Sequence, residues 1–429
     1  MPTLLERHRR VLPSWVSLYY REPIALDRGE GCWVWDRDGR RYLDFFGGIL
    51  TTISGHAVPE IVRAVQEQAA KLLHSSTVYL IESQVELAER IAELSGITDA
   101  KVFFTNSGTE ANDAALMLAT AHRRSNQVLA LRHSYHGRSF VAVGVTGTRS
   151  WKPTGFSPLH VHYVHGGYRY RSPFGHLPDD LFVDACVDDL RNVLEVATAG
   201  DVAAFIAEPI QGVGGFITPP DGLLGRLAEV LDQHGILFIS DEVQTGWGRT
   251  GEHFWGYQAH GLVPDLITFA KGIDNGLAIA GVVGRAELID ALPASSISTF
   301  GGNPLATAGA LANLRYLVDH DLQQNATAMG QRLRARLDRI AAEHDIVGEV
   351  RGKGLMLGVE LVQPGGKRPS TDATSALMEE TKAEGLLIGR GGHYGNVLRL
   401  SPPLTVSPAE IDEGAQRLER AFANVLASH

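Results

Sequence analysis

The stretch GILFISDEVQTGWGRTGEHFWGYQAHGLVPDLITFAKG, which runs from Gly235 to Gly272, decides the fold of this chain. It contains two short apolar runs, Ile236 to Ile239 and Leu266 to Ala270, that are rich in Ile, Leu and Phe. Each run is too short for a stable helix and is typical of a buried strand. Asp241 follows the first run and Lys271 follows the second. Because open α/β sheets bind ligands at the carboxyl ends of their strands, we expect both side chains to line one crevice.

The combination of a carboxylate and an amine at two strand ends favours one cofactor. A lysine alone at such a position is most often an ordinary surface residue. A cofactor that is bound covalently by a lysine and needs a carboxylate on its ring nitrogen requires both groups, and that cofactor is pyridoxal phosphate. Lys271 and Asp241 are therefore the predicted catalytic pair.

Composition excludes several classes of protein. The chain has 429 residues, of which 44% are hydrophobic and 21% charged, as in ordinary globular proteins. The net charge of −10 argues against a protein that binds nucleic acid backbones. With only two cysteines, no disulfide framework is predicted and a reducing, cytoplasmic setting fits. The first ten residues lack an apolar core, so we expect no secretory signal, and no apolar run reaches the roughly 20 residues that span a bilayer.

The middle of the chain predicts an α/β fold. From about Lys101 onward, the short apolar runs VFF, VLAL, AAFIA, ILFI and LITFA alternate with helical patterns. This alternation indicates a mostly parallel sheet that is covered by helices. Residues 149–180 and 245–264 are predicted to be loop-like insertions.

The two ends of the chain predict a smaller lobe. A leading helix is followed by a β-hairpin about Asp38-Gly39. The last hundred residues contain three strand-like stretches, a helix, and a capping box from Ser407 to Glu410 that opens a final helix. We therefore predict that residues 1–55 and 321–429 form a small α/β lobe beside a large domain at residues 56–320.

A phosphate site is predicted where one strand passes into a helix. FFTNSGTEANDAALMLAT (103–120) places a Ser-Gly-Thr turn before the helix, and Glu110 is positioned to complete a capping box with Ser107. Free backbone N–H groups at a helix start suit a phosphate. The alternative is a plain capped helix.

Two further strand ends carry polar side chains. SYHGRSF (134–140) offers Tyr135 for stacking on a flat ring and Arg138 for a carboxylate; a loop aromatic and a surface arginine are the alternative. Glu208 follows a buried strand in AAFIAEPIQGVGG and needs a partner, for which Arg399 in NVLRLSPPL is the candidate. A structural salt bridge explains this pair nearly as well.

Other motifs give no site. HVHYVH (160–165) could put two histidines on one strand face, but no acidic or cysteine partner is near in the sequence, so no metal site is predicted. The glycine-rich stretches GKGLMLG and GRGGHYG lack the GxGxxG spacing, and neither a P-loop nor a GxSxG motif occurs.

Taken together, the motifs NSGTEA, YHGR, AEPIQG, DEVQTGWGRTG, FAKG and TFGGNP, in this order, resemble those of class III (ω-amino acid) aminotransferases. The resemblance extends from Tyr19 to Leu404. Within the class the chain is similar to the alanine–glyoxylate aminotransferase 2-like branch, through YYREP, LDFFGGI, EPIQGVGG, HFWG, RGKGLM and LLIGRGG. The resemblance implies the fold type I of pyridoxal phosphate enzymes, with a mostly parallel central sheet and a smaller α/β lobe from both chain ends.

The resemblance also implies roles for individual residues around the cofactor ring. Lys271 is expected to hold the cofactor and then to move the proton at the substrate α-carbon. Asp241 is expected to keep the pyridine nitrogen protonated, and Gln244 to bind the phenolic oxygen. Val243 is expected to pack under the ring, with Tyr135 on the opposite face.

The remaining cofactor residues point to a shared site. By the same resemblance, Ser107, Gly108 and Thr109 are expected to bind the phosphate, and His136 belongs to the cofactor site. Thr299 is expected to reach the phosphate of a neighbouring subunit. A homodimer with active sites at its interface is therefore implied, and whether dimers pair into tetramers is left open.

Substrate selection is implied by five residues. Arg399 matches the carboxylate-binding arginine, and Glu208 matches the acid that pairs with it or swings away. Arg138 matches the second carboxylate arginine of 4-aminobutyrate and ornithine enzymes, which the alanine–glyoxylate 2-like branch often lacks. Ile49 stands where ornithine-selective members carry tyrosine, and Tyr19 matches an entrance tyrosine.

We therefore expect an aminotransferase that works by two half-reactions with ping-pong kinetics. Pyruvate or glyoxylate is the favoured acceptor, and a 4-aminobutyrate-type enzyme that uses 2-oxoglutarate is the alternative. A lyase, decarboxylase or aminomutase of the same fold also remains open, because the cofactor does not dictate which bond breaks. A non-enzymatic descendant would be expected to lack Lys271 or Asp241.

Overall fold

A computed structural model describes residues 2–427. The strands are β1 (Leu26–Glu30), β2 (Trp33–Asp36), β3 (Arg41–Asp44), β4 (Ala100–Thr105), β5 (Gln127–Leu131), β6 (His160–Val164), β7 (Ala204–Ala207), β8 (Leu237–Asp241), β9 (Leu266–Phe269), β10 (Ala280–Arg285), β11 (Val347–Lys353), β12 (Met356–Leu361), β13 (Leu386–Leu387), β14 (Gly389–Gly391) and β15 (Val397–Leu400). The helices are α1 (Leu4–Val11), α2 (Gly47–Leu50), α3 (Pro59–Lys71), α4 (Glu82–Leu94), α5 (Gly108–Arg123), α6 (Phe140–Val145), α7 (Asp179–Val196), α8 (Leu223–Gln233), α9 (Ala286–Ile289), α10 (Pro304–Asp319), α11 (Leu322–Glu343), α12 (Thr371–Ala383) and α13 (Pro408–Ala427).

The centre of the molecule is a seven-stranded sheet with the order β4-β10-β9-β8-β7-β5-β6. The strands β5 to β9 run parallel to one another, and β10 is antiparallel to both β4 and β9. The predicted mostly parallel α/β sheet is therefore confirmed. Strand β8 begins one residue later than the predicted apolar run and ends two residues later, because its pairing with β9 continues as far as Asp241, opposite Thr268.

The prediction of a loop-like insertion over 149–180 is wrong in its middle part. His160 to Val164 form β6, which pairs in parallel with β5 from Gln127 to Leu131. β6 is an edge strand, and its first four residues are exposed or partly exposed. An edge strand with one neighbour needs fewer apolar residues than a central strand, so its pattern was not recognised as part of the buried sheet.

Helix α5 shows how the sheet is covered. It presents small side chains such as Ala111, Ala115 and Ala119, all fully buried, to a core that includes Ile206 and Ile239 of the central strands. Alanine allows a helix to approach a sheet closely. The start of α5 is thereby held against the carboxyl ends of the strands.

A second group of strands uses both ends of the chain. The hairpin β2–β3 pairs Val34 with Tyr42 about the predicted turn, and β13, from the C-terminal region, adds in parallel to β3. A separate four-stranded sheet has the order β11-β12-β15-β14. The capping box before α13 is confirmed, with the Glu410 N–H 3.3 Å from Ser407 Oγ and the Ser407 N–H 2.8 Å from the Glu410 carboxylate. The domain boundaries at 55 and 320 stay a prediction.

Among residues 2–427, no helix is both long and apolar enough to cross a membrane.

Candidate active site

Asp241 and Lys271 lie at the ends of the neighbouring parallel strands β8 and β9. Asp241 is opposite Thr268, and Lys271 follows three residues later in a 3-10 turn. Lys271 has a φ of 51°, in the left-handed region that non-glycine residues rarely adopt. Such strain is typical of functional sites. Burial lowers the pKa of Lys271, while the nearby carboxylates of Asp241 and Glu208 act in the opposite direction.

Asp241 is oriented by a buried hydrogen-bond network. Its Oδ2 lies 2.8 Å from Asn112 Nδ2 and 2.7 Å from His136 Nδ1, and its Oδ1 accepts the Val243 N–H at 3.1 Å. Thr268 Oγ1 donates to Asn112 Oδ1 at 2.7 Å and so fixes the amide with its nitrogen toward the acid. Every one of these contacts holds the carboxylate in one orientation, as a fixed partner for a ring nitrogen requires.

Asn112 and Thr268 were missed by sequence reasoning. Both are almost fully buried, at 1% and 0% exposure. A signal was present, since Asn112 is an asparagine among alanines and leucines on the buried face of α5, where asparagine is a poor helix former. Thr268 gave no signal, because threonine is common in strands.

The start of α5 has the geometry of a phosphate site. Ser107 is the N-cap, and its Oγ accepts the Glu110 N–H at 3.2 Å. The predicted reciprocal bond is wrong: the Glu110 carboxylate binds the backbone N–H and side-chain amide of Asn106, at 2.8 and 3.0 Å, instead of the Ser107 N–H. The N–H groups of Ser107, Gly108 and Thr109 therefore have no acceptor among residues 2–427.

Glycines let neighbouring loops lie against this helix start. A Cβ on Gly108 would be 3.0 Å from both Val243 methyl groups, so the segment after β8 packs directly on the α5 terminus. A Cβ on Gly137, whose φ is 133°, would be 2.5 Å from Thr109 Oγ1. Both contacts hold the segments after β5 and β8 against the start of α5.

Tyr135 and Arg138 lie on the loop after β5. The Tyr135 ring is partly buried and meets Trp151 edge-on at 5.3 Å between centroids. Its backbone N–H donates to Glu208 Oε1 at 2.8 Å. Arg138 is exposed, and among the described residues its side chain forms no ion pair. The backbone N–H of Arg138 lies 3.4 Å from Thr109 Oγ1, so this loop is fastened to the helix start.

Glu208 and Arg399 lie close to each other but do not form the ion pair that the sequence suggested. Glu208 accepts the N–H groups of Tyr135 and Gly212, each at 2.8 Å, and these donors satisfy both oxygens. Burial raises the pKa of Glu208 to about 7. The Arg399 guanidinium lies 5.2 Å from the Phe46 ring centroid and donates to the Gly212 carbonyl at 3.4 Å. Within the described chain, Arg399 has no carboxylate partner.

Tyr19 and Ile49 are both close to Phe46, Tyr19 in space and Ile49 in the sequence. The Tyr19 ring is 5.7 Å from the Phe46 ring, which in turn packs on Arg399. Ile49 is 46% exposed with a φ of 65°, in a left-handed turn over Gly47–Leu50 that directly follows Phe46. The roles of Tyr19 and Ile49 in substrate entry and selection stay predictions.

Thr299 is exposed at the surface, next to Ser298, whose Oγ accepts from Asn106 Nδ2 at 3.1 Å. Its contact with a neighbouring subunit stays a prediction.

The residues present fit pyridoxal phosphate. The helix start offers free N–H donors, and His136 Nε2 and Gln244 Oε1 are buried without a protein partner. The Gln244 side chain lies directly over Gly212, where only a glycine leaves room for it. Lys271 Nζ donates to no group among residues 2–427, so the amine is free to react. In the same part of the chain no group of three or more His, Cys, Asp or Glu side chains is arranged to hold a metal ion.

Comparison with known proteins agrees with this geometry. The family model "Aminotransferase class-III" matches residues 18–422. Alanine–glyoxylate aminotransferase 2 homolog 2 of Arabidopsis thaliana is 39% identical, over 95% of this chain and 85% of the relative. The leucine/methionine racemase of Thermococcus litoralis is 37% identical, over 98% of this chain and 95% of the relative. An amine transaminase from an uncultivated Pseudomonas species, solved in its PLP-bound form, superposes with a TM-score of 0.90 at 30% identity, over 96% of this chain and 98% of that one.

The seven-stranded sheet, the strand-end acid and amine, and the family match over nearly the whole chain lead to one conclusion. The chain belongs to the class III aminotransferases, which are pyridoxal-phosphate-dependent enzymes of fold type I.

Proposed function

We propose that this enzyme transfers the amino group of an amino acid or ω-amino acid to a keto acid, with pyruvate or glyoxylate as the favoured acceptor. The observation that carries the proposal is Arg399, a buried guanidinium without a carboxylate partner among the described residues. A buried, unpaired charge is costly, so the site is built to receive a carboxylate from outside the chain.

When bound, pyridoxal phosphate supplies an electron sink and carries the amino group between the two half-reactions. We assign the proton transfer at the substrate α-carbon to Lys271, whose pKa is lowered by burial so that a neutral amine is accessible. Asp241 is assigned to the ring nitrogen and Gln244 to the phenolic oxygen.

Further residues are assigned to the phosphate and to the two faces of the cofactor ring. Ser107, Gly108 and Thr109 are assigned to the phosphate through their free N–H groups. Val243 and Tyr135 are assigned to the two faces of the ring. His136 is assigned a supporting role, because its Nδ1 contacts Asp241.

The state of Glu208 supports α-amino and α-keto acids as substrates. Its carboxylate is bound by two backbone N–H groups and leaves Arg399 open to the substrate carboxylate. For an ω-amino acid the proposal requires that Glu208 releases these donors and pairs with Arg399. A pKa near 7 makes the charge of Glu208 sensitive to the pH of the assay.

A 4-aminobutyrate-type enzyme that uses 2-oxoglutarate is the second candidate. Arg138 favours it, because this exposed arginine without an ion pair lies next to Tyr135 and could bind a second carboxylate bidentately. Because Arg138 is exposed to solvent, its contact with a second carboxylate would be weak, so pyruvate and glyoxylate remain the first proposal.

The third candidate is another reaction of the same cofactor: a lyase, decarboxylase or aminomutase reaction. The racemase among the similar proteins shows that relatives of this chain are not all transaminases. One experiment separates such enzymes from a transaminase. With an amino donor and no keto acid, a transaminase stops after one half-turnover, whereas the other enzymes continue.

We also propose a homodimer with shared active sites. Large apolar side chains are exposed on two segments, with Leu80 at 99% and Tyr79 at 68% on one, and Ile297 at 64% and Phe300 at 59% on the other. Thr299 lies within the second segment. Large apolar side chains that are exposed together on a surface segment are typical of association sites. The expected cytoplasmic location stays a prediction.

The decisive test is a matrix of amino donors against pyruvate, glyoxylate and 2-oxoglutarate, followed by product analysis. The proposal expects transfer to pyruvate or glyoxylate at a higher kcat/KM than to 2-oxoglutarate. Higher kcat/KM with 2-oxoglutarate would replace the first candidate with the second. Light scattering of the purified protein over a concentration series tests the dimer, and a monomer at all concentrations would contradict it.

A further inference from the structure

Two arginines stand in one row across the antiparallel sheet β11-β12-β15. Arg351 of β11 is opposite Gly358 of β12, and Gly358 is opposite Arg399 of β15. Residues directly opposite each other in antiparallel strands project to the same face of the sheet. Because Gly358 has no side chain, a gap remains between the two arginines.

The loop that follows β7 fills this gap. A Cβ on Gly358 would be 2.9 Å from the carbonyl oxygen of Gly215, so the loop rests directly on the glycine. Arg351 Nε donates to the Gly215 carbonyl at 2.9 Å, and Arg399 Nη1 donates to the Gly212 carbonyl at 3.4 Å. The Gly215 N–H closes a turn onto the Gly212 carbonyl at 3.1 Å. One arginine therefore holds each end of the turn.

Arg351 is itself fixed by a buried network. Its Nη1 donates to Glu360 Oε2 at 2.6 Å, and the Tyr168 hydroxyl donates to the same oxygen at 2.5 Å. Arg171 Nε donates to the other oxygen at 2.5 Å. The Arg351 guanidinium also lies 4.9 Å from the Tyr168 ring centroid. Glu360 is fully buried, so this carboxylate keeps its partners and Arg351 has little freedom to move.

The turn held by Arg351 provides one of the backbone N–H donors that bind the Glu208 carboxylate. The N–H of Gly212 is one of only two groups that bind the Glu208 carboxylate among the described residues. Arg399 contacts the carbonyl of the same glycine. Displacement of the turn would remove a donor from Glu208, which lies near the cationic groups of Arg399 and Lys271.

We propose that Arg351 is a positioning residue that holds Glu208 on the Gly212 N–H and so keeps Arg399 open to the substrate carboxylate. The inference deepens the proposed function and rests on its assignment of Arg399. It adds a specificity element that lies outside the crevice and touches neither cofactor nor substrate.

The test measures binding of propionate, a carboxylate that cannot react, to the full-length enzyme loaded with pyridoxal phosphate, by isothermal titration calorimetry. Arg351→Met should raise the Kd by about tenfold, because a charge-assisted contact on the turn is lost and Glu208 competes for Arg399. Glu208→Gln combined with Arg351→Met should bring the Kd back to within about twofold of Glu208→Gln alone. Arg334→Met, which removes a partly exposed arginine of α11, is the control for charge and should leave the Kd unchanged.

A second variant protects the test against poor folding of Arg351→Met. In Gly358→Ala the added methyl group would be 2.9 Å from the Gly215 carbonyl oxygen and should displace the turn. This variant retains the side chains of Arg351 and Glu360, and it should also raise the Kd for propionate. The proposal would be overturned if both Arg351→Met and Gly358→Ala bind propionate with wild-type affinity. It would also be overturned if Arg351→Met still raises the Kd tenfold when it is combined with Glu208→Gln. If Arg399→Met binds propionate as the wild type does, the assignment of Arg399 fails instead, and the inference falls with it.

Discussion

Replacing Asp274 by asparagine should stabilise the protein, and the gain should grow with pH. Asp274 lies three residues after Lys271 and is 2% exposed, and neither of its carboxylate oxygens has a partner in the described chain. It packs against α10 so closely that a Cβ on Gly309 would be 2.5 Å from Asp274 Oδ1. Burial raises the pKa of Asp274 to about 9 from a usual value of 3.8.

The magnitude follows from proton linkage. Between pH 3.8 and about 9 the folded protein keeps a proton on Asp274 that the unfolded chain releases. Stability therefore falls as pH rises through this window, by about 1.4 kcal/mol per pH unit from this group. From pH 5.5 to 7.5 the loss is roughly 3 kcal/mol, which is large against a typical stability of about 5–15 kcal/mol. Asparagine has nearly the same shape and cannot ionise.

The assay is thermal unfolding of wild type and Asp274→Asn at several pH values between 5 and 8.5, at constant concentrations of protein and cofactor. The difference in Tm should be smallest at the acid end and should increase with pH. Asp345→Asn, at an exposed position, is the matched control and should show no trend. A Tm difference that stays constant across the range would refute the reasoning, because Asp274 would then ionise as freely in the folded protein as in the unfolded chain.

Three further predictions concern the site. Lys271→Ala should abolish transamination and the visible absorbance of the lysine-bound cofactor near neutral pH; a variant that turns over at the wild-type rate would end the assignment of this lysine. Asn112→Leu removes the 2.8 Å bond to Asp241 and should lower kcat by about 10- to 100-fold, the cost of a hydrogen bond to a charged group, with Thr268→Val showing a smaller loss in the same steady-state assay. Arg138→Ala should raise KM for 2-oxoglutarate by about tenfold and leave KM for pyruvate unchanged, since only a dicarboxylate has a second group to bind; an equal loss with both acceptors contradicts this role.

The parts of the fold that rest on local patterns could be predicted from the sequence. Asp241 and Lys271 were found because each follows an apolar run of strand length, and parallel strands bring their ends together. The edge strand β6 was missed because partial exposure leaves no run of apolar residues. A pattern that depends on burial identifies only the strands that are buried.

The arrangement of the polar groups could not be predicted in the same way. Pairing Glu208 with Arg399 was a reasonable inference from charge, but the Tyr135 and Gly212 N–H groups that bind Glu208 are backbone atoms, which every residue except proline possesses. Asp274 gave no signal either, because the isolation of its carboxylate depends on α10, a helix that begins thirty residues later in the chain. Such contacts are properties of the packed structure rather than of any single stretch.

The joining of β13 to β3 has a consequence for synthesis of the protein. Leu386 pairs with Leu43, so the sheet of β1, β2 and β3 is complete only after residues near the C-terminal end of the chain have been translated. Until then the hairpin presents an open edge, to which other chains can add. Slow emergence of the C-terminal part from the ribosome should therefore favour aggregation of nascent chains, and chaperones that cover exposed strands should increase the yield.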